Sequence, residues 1–216
     1  MRILAVSDQV VEQLHSPAVS ERFAGVNLIV GCGDLPVDYL DYLASMLNLP
    51  LLSVPGNHDL PRATANRMAG SSPPDDWRGC GNIDGQVLSE RGVLIAGLGG
   101  SVRYRPDGVH QYTQREMARR ILRLTPRLVR NRIRYGRFLD ILVTHAPPLG
   151  VHDGVDPAHV GFRSFHGFIA RFRPRYLFHG HSHVYQRDTI TRTQLGPTTV
   201  LNVCPYRVIT LEEIGA

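Results

Sequence analysis

Five short apolar runs, each ending on side chains that can bind a metal, constrain this chain more than anything else in it: RILAVSD, NLIVGCGD, LLSVPGNHD, ILVTH and YLFHGHSH. Runs of this length, rich in Val, Ile and Leu, read as buried strands. Patterns of helical period lie between them, so the alternation predicts a layered α/β fold. The expected strands are Arg2–Val6, Asn27–Val30, Leu51–Val54, Asp140–Val143 and Tyr176–Phe178, with a hairpin from Val87–Leu88 and Val93–Leu98. Shorter strand-like segments cover Gln186–Ile190, Thr198–Val203 and Arg207–Leu211.

Helices are expected after Ser16-Pro17, which has the pattern of an N-cap followed by proline, and over Asp38–Leu47. Residues 113–135 are helical in period, and Thr125-Pro126 is expected to split them into two pieces. Residues 60–85 carry Pro, Gly, Ser and Asp without a period, the composition of a long functional loop.

The 216 residues are 43% hydrophobic and 20% charged, enough for one domain, 1–216, with a substantial core. No apolar run approaches the roughly 20 residues that span a bilayer, so no membrane partner is expected. The segment ahead of the first strand has no leader pattern, and Cys32, Cys80 and Cys204 form no CxxC pair. A cytoplasmic protein with free thiols is the expectation. The net charge is +5, and all 24 basic residues are arginine. Nine of them fall between Arg115 and Arg137 and read as a solvated helical face, with a phosphate-attracting patch as the alternative.

The carboxyl ends of neighbouring strands in α/β folds share a rim, where ligands bind. Asp8, Asp34, Asn57, His145, His181 and His183 all fall at such ends. Imidazole and carboxylate suit zinc, iron and manganese, and no cysteine biases the set toward soft-metal chemistry. Glycines before Asp34, Asn57 and His181 allow the sharp turns that aim the next side chain. Singly, each is a common turn or structural residue. Together, in this order, they describe a metal site. There is no GxSxG, so no serine nucleophile is indicated.

The ordered set D, GD, GNHD, H and GHxH, running from Ser7 to His183, resembles the calcineurin-like metallophosphoesterases. The resemblance implies a four-layer α/β/β/α sandwich with two mixed β-sheets. It also implies two divalent ions, Mn first and Fe or Zn as alternatives. The implied reaction is hydrolysis of a phosphomonoester or phosphodiester by in-line attack of a bridging hydroxide. Asp34 would bridge the ions, with Asn57, His145 and His181 completing one site and Asp8 and His183 holding the other. His58 would act beside Asn57 as the acid for the leaving group or as a donor to the transition-state phosphoryl oxygens.

The family opens on D-x-H, and this chain has Val10 at the histidine position. The second ion is therefore expected to bind more weakly, with water, Glu12 or His15 filling the gap. Arg103, Arg105, His110 and Tyr112 are candidate contacts for a small phosphorylated substrate. His152, Asp153 and His159 are candidates for orienting the ligands. Rival expectations are a nuclease and a binding scaffold without turnover.

Overall fold

In the computed structural model, residues 1–59, 80–183 and 188–211 are described. The first sheet has the order β13-β1-β2-β3-β4, with β1 (Arg2–Val6), β2 (Leu28–Gly31), β3 (Leu51–Ser53), β4 (Cys80–Asn82) and β13 (Tyr206–Thr210). β1 through β4 are parallel, and β13 closes the β1 edge antiparallel. The second sheet has the order β11-β12-β10-β9-β6-β5. Its members are β5 (Val87–Glu90), β6 (Val93–Leu98), β9 (Ile141–Thr144), β10 (Tyr176–His179), β11 (Arg192–Leu195) and β12 (Thr198–Asn202). Its middle four strands are parallel and its two edges antiparallel. A small pair, β7 (Ser101–Val102) and β8 (Gln111–Tyr112), follows β6.

The strand alternation sorts the core into three layers. Ile3, Ala5, Leu28 and Val30 of the first sheet meet Ile95, Ile141, Val143, Phe178 and Leu201 of the second. The intervening residues point outward: Leu4, Val6 and Ile29 pack under α1 (Val19–Arg22) and α2 (Val37–Leu47). Leu94, Ala96, Leu142 and Leu177 pack under α3 (Gln114–Tyr135) and α4 (Ser164–Phe172). Two helical layers thus enclose two mixed sheets, the expected α/β/β/α sandwich. Each buried Val, Leu, Ile or Phe contributes about 1.5–3 kcal/mol, so both faces of every central strand hold the stack together.

Several expectations change. Helix α3 runs unbroken through Pro126. Its Thr113 and Glu116 form a reciprocal capping box, Gly136 ends it in the left-handed region, and Met117, Leu124 and Leu128 anchor its inner face. Pro126 and Leu122 are exposed, so the proline sits on the solvent face of the helix rather than against the core. Ser16 caps no helix: α1 starts at Val19, and the Ser16 hydroxyl donates to the Gln13 carbonyl. The expected loop 60–85 contains β4 at its end, while 60–79 lies outside the described residues. Of the expected strand Gln186–Ile190, the described part, 188–190, is not a strand, and β11 begins two residues later. Among the described residues no helix is long and apolar enough to cross a membrane.

Candidate metal centre

Parallel pairing brings the carboxyl ends of β1, β2, β3, β9 and β10 to one edge of the sandwich, and hydrogen bonds join their loops across the two sheets. Asp8 N–H donates to the Gly33 carbonyl (3.1 Å), and Gly180 N–H donates to that of His145 (3.0 Å). The His145 ring reaches the Cys32 carbonyl through Nδ1 (2.8 Å), from the second sheet to the first.

The other nitrogen of His145 marks the centre. Its Nε2 lies 3.0 Å from Asn57 Oδ1, 3.1 Å from His181 Nδ1 and 3.3 Å from Asp34 Oδ2. One ligand atom each from Asp34, His145 and His181 falls within 4.8 Å of the others. Both tautomers are set from behind. A carbonyl accepts only N–H, so Cys32 fixes the proton of His145 on Nδ1, and Ala158 (2.7 Å) fixes that of His181 on Nε2. Asn57 is oriented the same way: its Nδ2 donates to the Tyr104 hydroxyl (3.2 Å), which turns Oδ1 inward. Acceptor atoms, most of them buried, thus face one another with a cation's role between them, and the donor set of two imidazoles, one carboxylate and one amide fits a divalent ion of the zinc, iron or manganese group.

In the metal-free chain a proton takes that role. Burial alone would lower the pKa of His145, but the Asp34 carboxylate, by hydrogen bond and charge, raises it to about 9. Burial would raise Asp34, and the His145 contact reverses this, bringing it to about 2. His181 is pushed down to about 3, by burial first and then by the charge on His145, so it is neutral.

The loops are shaped for this convergence. Asp8, Asp34 and His181 all sit in the left-handed region, with φ of 64°, 55° and 65°, a conformation that stores strain and here turns three polar side chains toward one rim. At Gly56 and Gly180 the chain passes so close to Asp34 and Asp8 that a Cβ would overlap their carboxylates. Asp59 supports the arrangement from below: its Oδ2 accepts from the N–H groups of Gly56 (2.7 Å) and Asp34 (3.1 Å). Asp59, Tyr104 and the carbonyls of Cys32 and Ala158 carry no signal of their own in the sequence. Only the position of Asp59 inside GNHD pointed near the site.

The remaining expected residues are placed less tightly. Both oxygens of Asp8 accept from His181 N–H (3.1 and 2.9 Å), while His183 is exposed, with Nδ1 3.4 Å from Gln9 Nε2. His58 is exposed and anchors its backbone N–H on Asp34 Oδ1 (2.8 Å). His15, expected as a substitute ligand, packs edge-on against Tyr39 and Tyr42 instead. Arg103 is tied to Glu116 (3.0 Å) and to the Gln111 carbonyl, and Tyr112 lies under Arg120, 4.1 Å from its ring centre. Arg105 is exposed beside the Tyr104 ring. His110 is half-buried within electrostatic reach of Asp34 and Asp59, and its pKa is lowered by burial.

Behind the centre, His152 Nδ1 meets His179 Nε2 (2.9 Å), and its Nε2 meets Thr193 Oγ1 (2.8 Å). Burial pushes His179 down to about 3. Asp153 accepts from Gly161 N–H, and His159, paired with Asp156, stacks obliquely on His181 with ring centres 5.1 Å apart.

Known proteins agree with this architecture. The uncharacterized protein MJ1162 of Methanocaldococcus jannaschii is 26% identical over 218 residues, covering 95% of this chain and 88% of that protein. The crystal structure of TT1561 of Thermus thermophilus superposes with a TM-score of 0.62 at 18% identity, covering 94% of this chain and 88% of that one. A second solved structure superposes with a TM-score of 0.63 at 16% identity, covering 94% and 90%. Residues 1–185, which hold every candidate ligand, match the profile of the calcineurin-like phosphoesterases. With that match over most of its length, and the fold to go with it, this chain belongs to the calcineurin-like phosphoesterase family.

Proposed function

We propose that this protein hydrolyses a small phosphomonoester or phosphodiester by divalent-metal chemistry, with manganese first and iron or zinc as alternatives. The carrying observation is the convergence of Asp34, Asn57 and His181 on His145 Nε2, with both histidine tautomers fixed from behind. Asp34, Asn57, His145 and His181 would hold the ion, with Asp8 and His183 on the rim. A divalent ion bound there polarises a phosphoryl oxygen and lowers the pKa of coordinated water.

The chain's own residues supply the rest. Asp59 and Tyr104 hold Asp34 and Asn57 in register, so binding an ion needs little reorganisation. His58, on the exposed side of the same turn, is the proton donor to the departing oxygen. Arg105 and His110, on the segment between β7 and β8, are the residues for the substrate's anionic or organic part. Work in the cytoplasm fits the buried thiol of Cys32.

The test is hydrolysis of one chromogenic monoester and one chromogenic diester by the manganese-loaded protein. Turnover of at least one is expected. His58→Ala should lower kcat by about 10²-fold or more, the usual contribution of a general acid, with bound manganese unchanged. Loaded protein inert toward both esters would leave a binding scaffold as the function.

A further inference from the structure

We infer that this protein holds a single divalent ion tightly, at Asp34, Asn57, His145 and His181, and that the second position of the family's pair is not a built metal site in this chain. The inference rests on the metal-hydrolase reading and specifies its stoichiometry. Among the described residues, the second position is incomplete and its donors have other partners. Val10, in the place of the family's histidine, is 48% exposed and offers only methyl groups. His15, the nearest histidine in sequence, is committed to the tyrosines of α2.

Three donors remain, and each has another partner. His183 presents Nδ1 to the Gln9 amide at 3.4 Å, so one ring nitrogen is taken by a neutral side chain. The two oxygens of Asp8 share the His181 N–H. Asp34, which would have to bridge, gives Oδ2 to His145 and Oδ1 to the His58 N–H. The first position shows the opposite pattern. Its histidines are buried and backed by carbonyls, its ligand atoms are aimed at one another, and among the described residues Asp34, His145 and His181 form a group that could hold a metal.

The two positions also differ in what an ion would encounter. At the first, it meets donors already drawn to within 3.0–3.3 Å of His145 Nε2. At the second, it finds Asp8, Asp34 and His183 already engaged with other partners, and among the described residues no fourth protein ligand joins them. Losing even a supporting partner costs about 10–100-fold in metal affinity, and losing a ligand outright costs no less.

Chelator-stripped protein titrated with Mn²⁺, followed by calorimetry and electron paramagnetic resonance, tests this. One tight equivalent with the spectrum of an isolated ion is expected, and a second event weaker by about 100-fold or more. His181→Ala should abolish the tight event, and His183→Ala should leave it in place. Val10→His should convert the weak event into a tight one with the spectrum of a spin-coupled pair. Two tight equivalents and a coupled pair in the native protein would overturn the single-ion inference while leaving the hydrolase reading intact. Loss of the tight event in His183→Ala would overturn the inference as well, and does not depend on Val10→His folding. No binding at all would overturn both readings together.

Discussion

A histidine whose two nitrogens do different work sits at the middle of this protein. His145 spends Nδ1 on the Cys32 carbonyl and turns Nε2 to the shared centre, so backbone geometry alone selects the ligating atom. Asp34 raises the pKa of His145 to about 9, so at neutral pH the metal-free ring carries a proton that an incoming ion must expel. The sign follows directly: below about 9 the proton competes with the ion, so apparent affinity rises about tenfold per pH unit and levels off above it. Titrations at pH 7 in buffers of different ionisation enthalpy should report release of about one proton per tight ion. A pH-independent affinity with no proton release would mean that His145 is already neutral in the metal-free chain. The candidate ligands themselves were legible in the sequence, because GD, GNHD and GHxH each sit at the end of an apolar run. Their supports were not, because Tyr104 and the Ala158 carbonyl reach the centre from loops with no pattern of their own.

Helix α3 shows an element overriding its own sequence. Proline within a helix costs about 3 kcal/mol, and that rule predicted a break at Thr125-Pro126. The helix continues because both ends are capped and its inner face is locked into the core, while the proline lies on the exposed face. Pro126→Ala should therefore stabilise the protein by about 2 kcal/mol, the helix gain less the lost restriction of the unfolded chain. The midpoint of thermal unfolding should rise by roughly 4–8 °C for a chain of this size. An unchanged or lower midpoint would mean that the proline ring makes a packing contact worth as much as the hydrogen bond it removes. The short strands β7, β8 and β11 were missed for a related reason. Two- to four-residue strands have too few positions to show an alternation, and only their partners define them.

At the scale of the molecule, the core between the sheets and the metal centre belong to the same strands. Phe178 fills the inter-sheet layer one residue before His179 and three before His181, on β10. Phe178→Ala should cost about 3–5 kcal/mol, seen as a lower urea midpoint, and should also weaken the tight ion because the turn carrying His181 loses its footing. Lost stability with unchanged ion affinity would show that the centre is held by its loops alone. Layering and ligand order were fixed by the chain's own pattern. Apolar alternation assigns the faces of each strand, and a polar residue after each run needs no distant partner to be recognised. What only the tertiary structure decided is which acceptors converge on His145 and which turn elsewhere. Asp8, His183, Arg103 and Tyr112 have the right chemistry in sequence, yet each is claimed by a neighbour that only the folded chain brings near: His181 N–H, Gln9, Glu116 and Arg120. A side chain's chemistry is written in its residue type, but a polar atom takes the partner within about 3 Å of it, and folding chooses that partner.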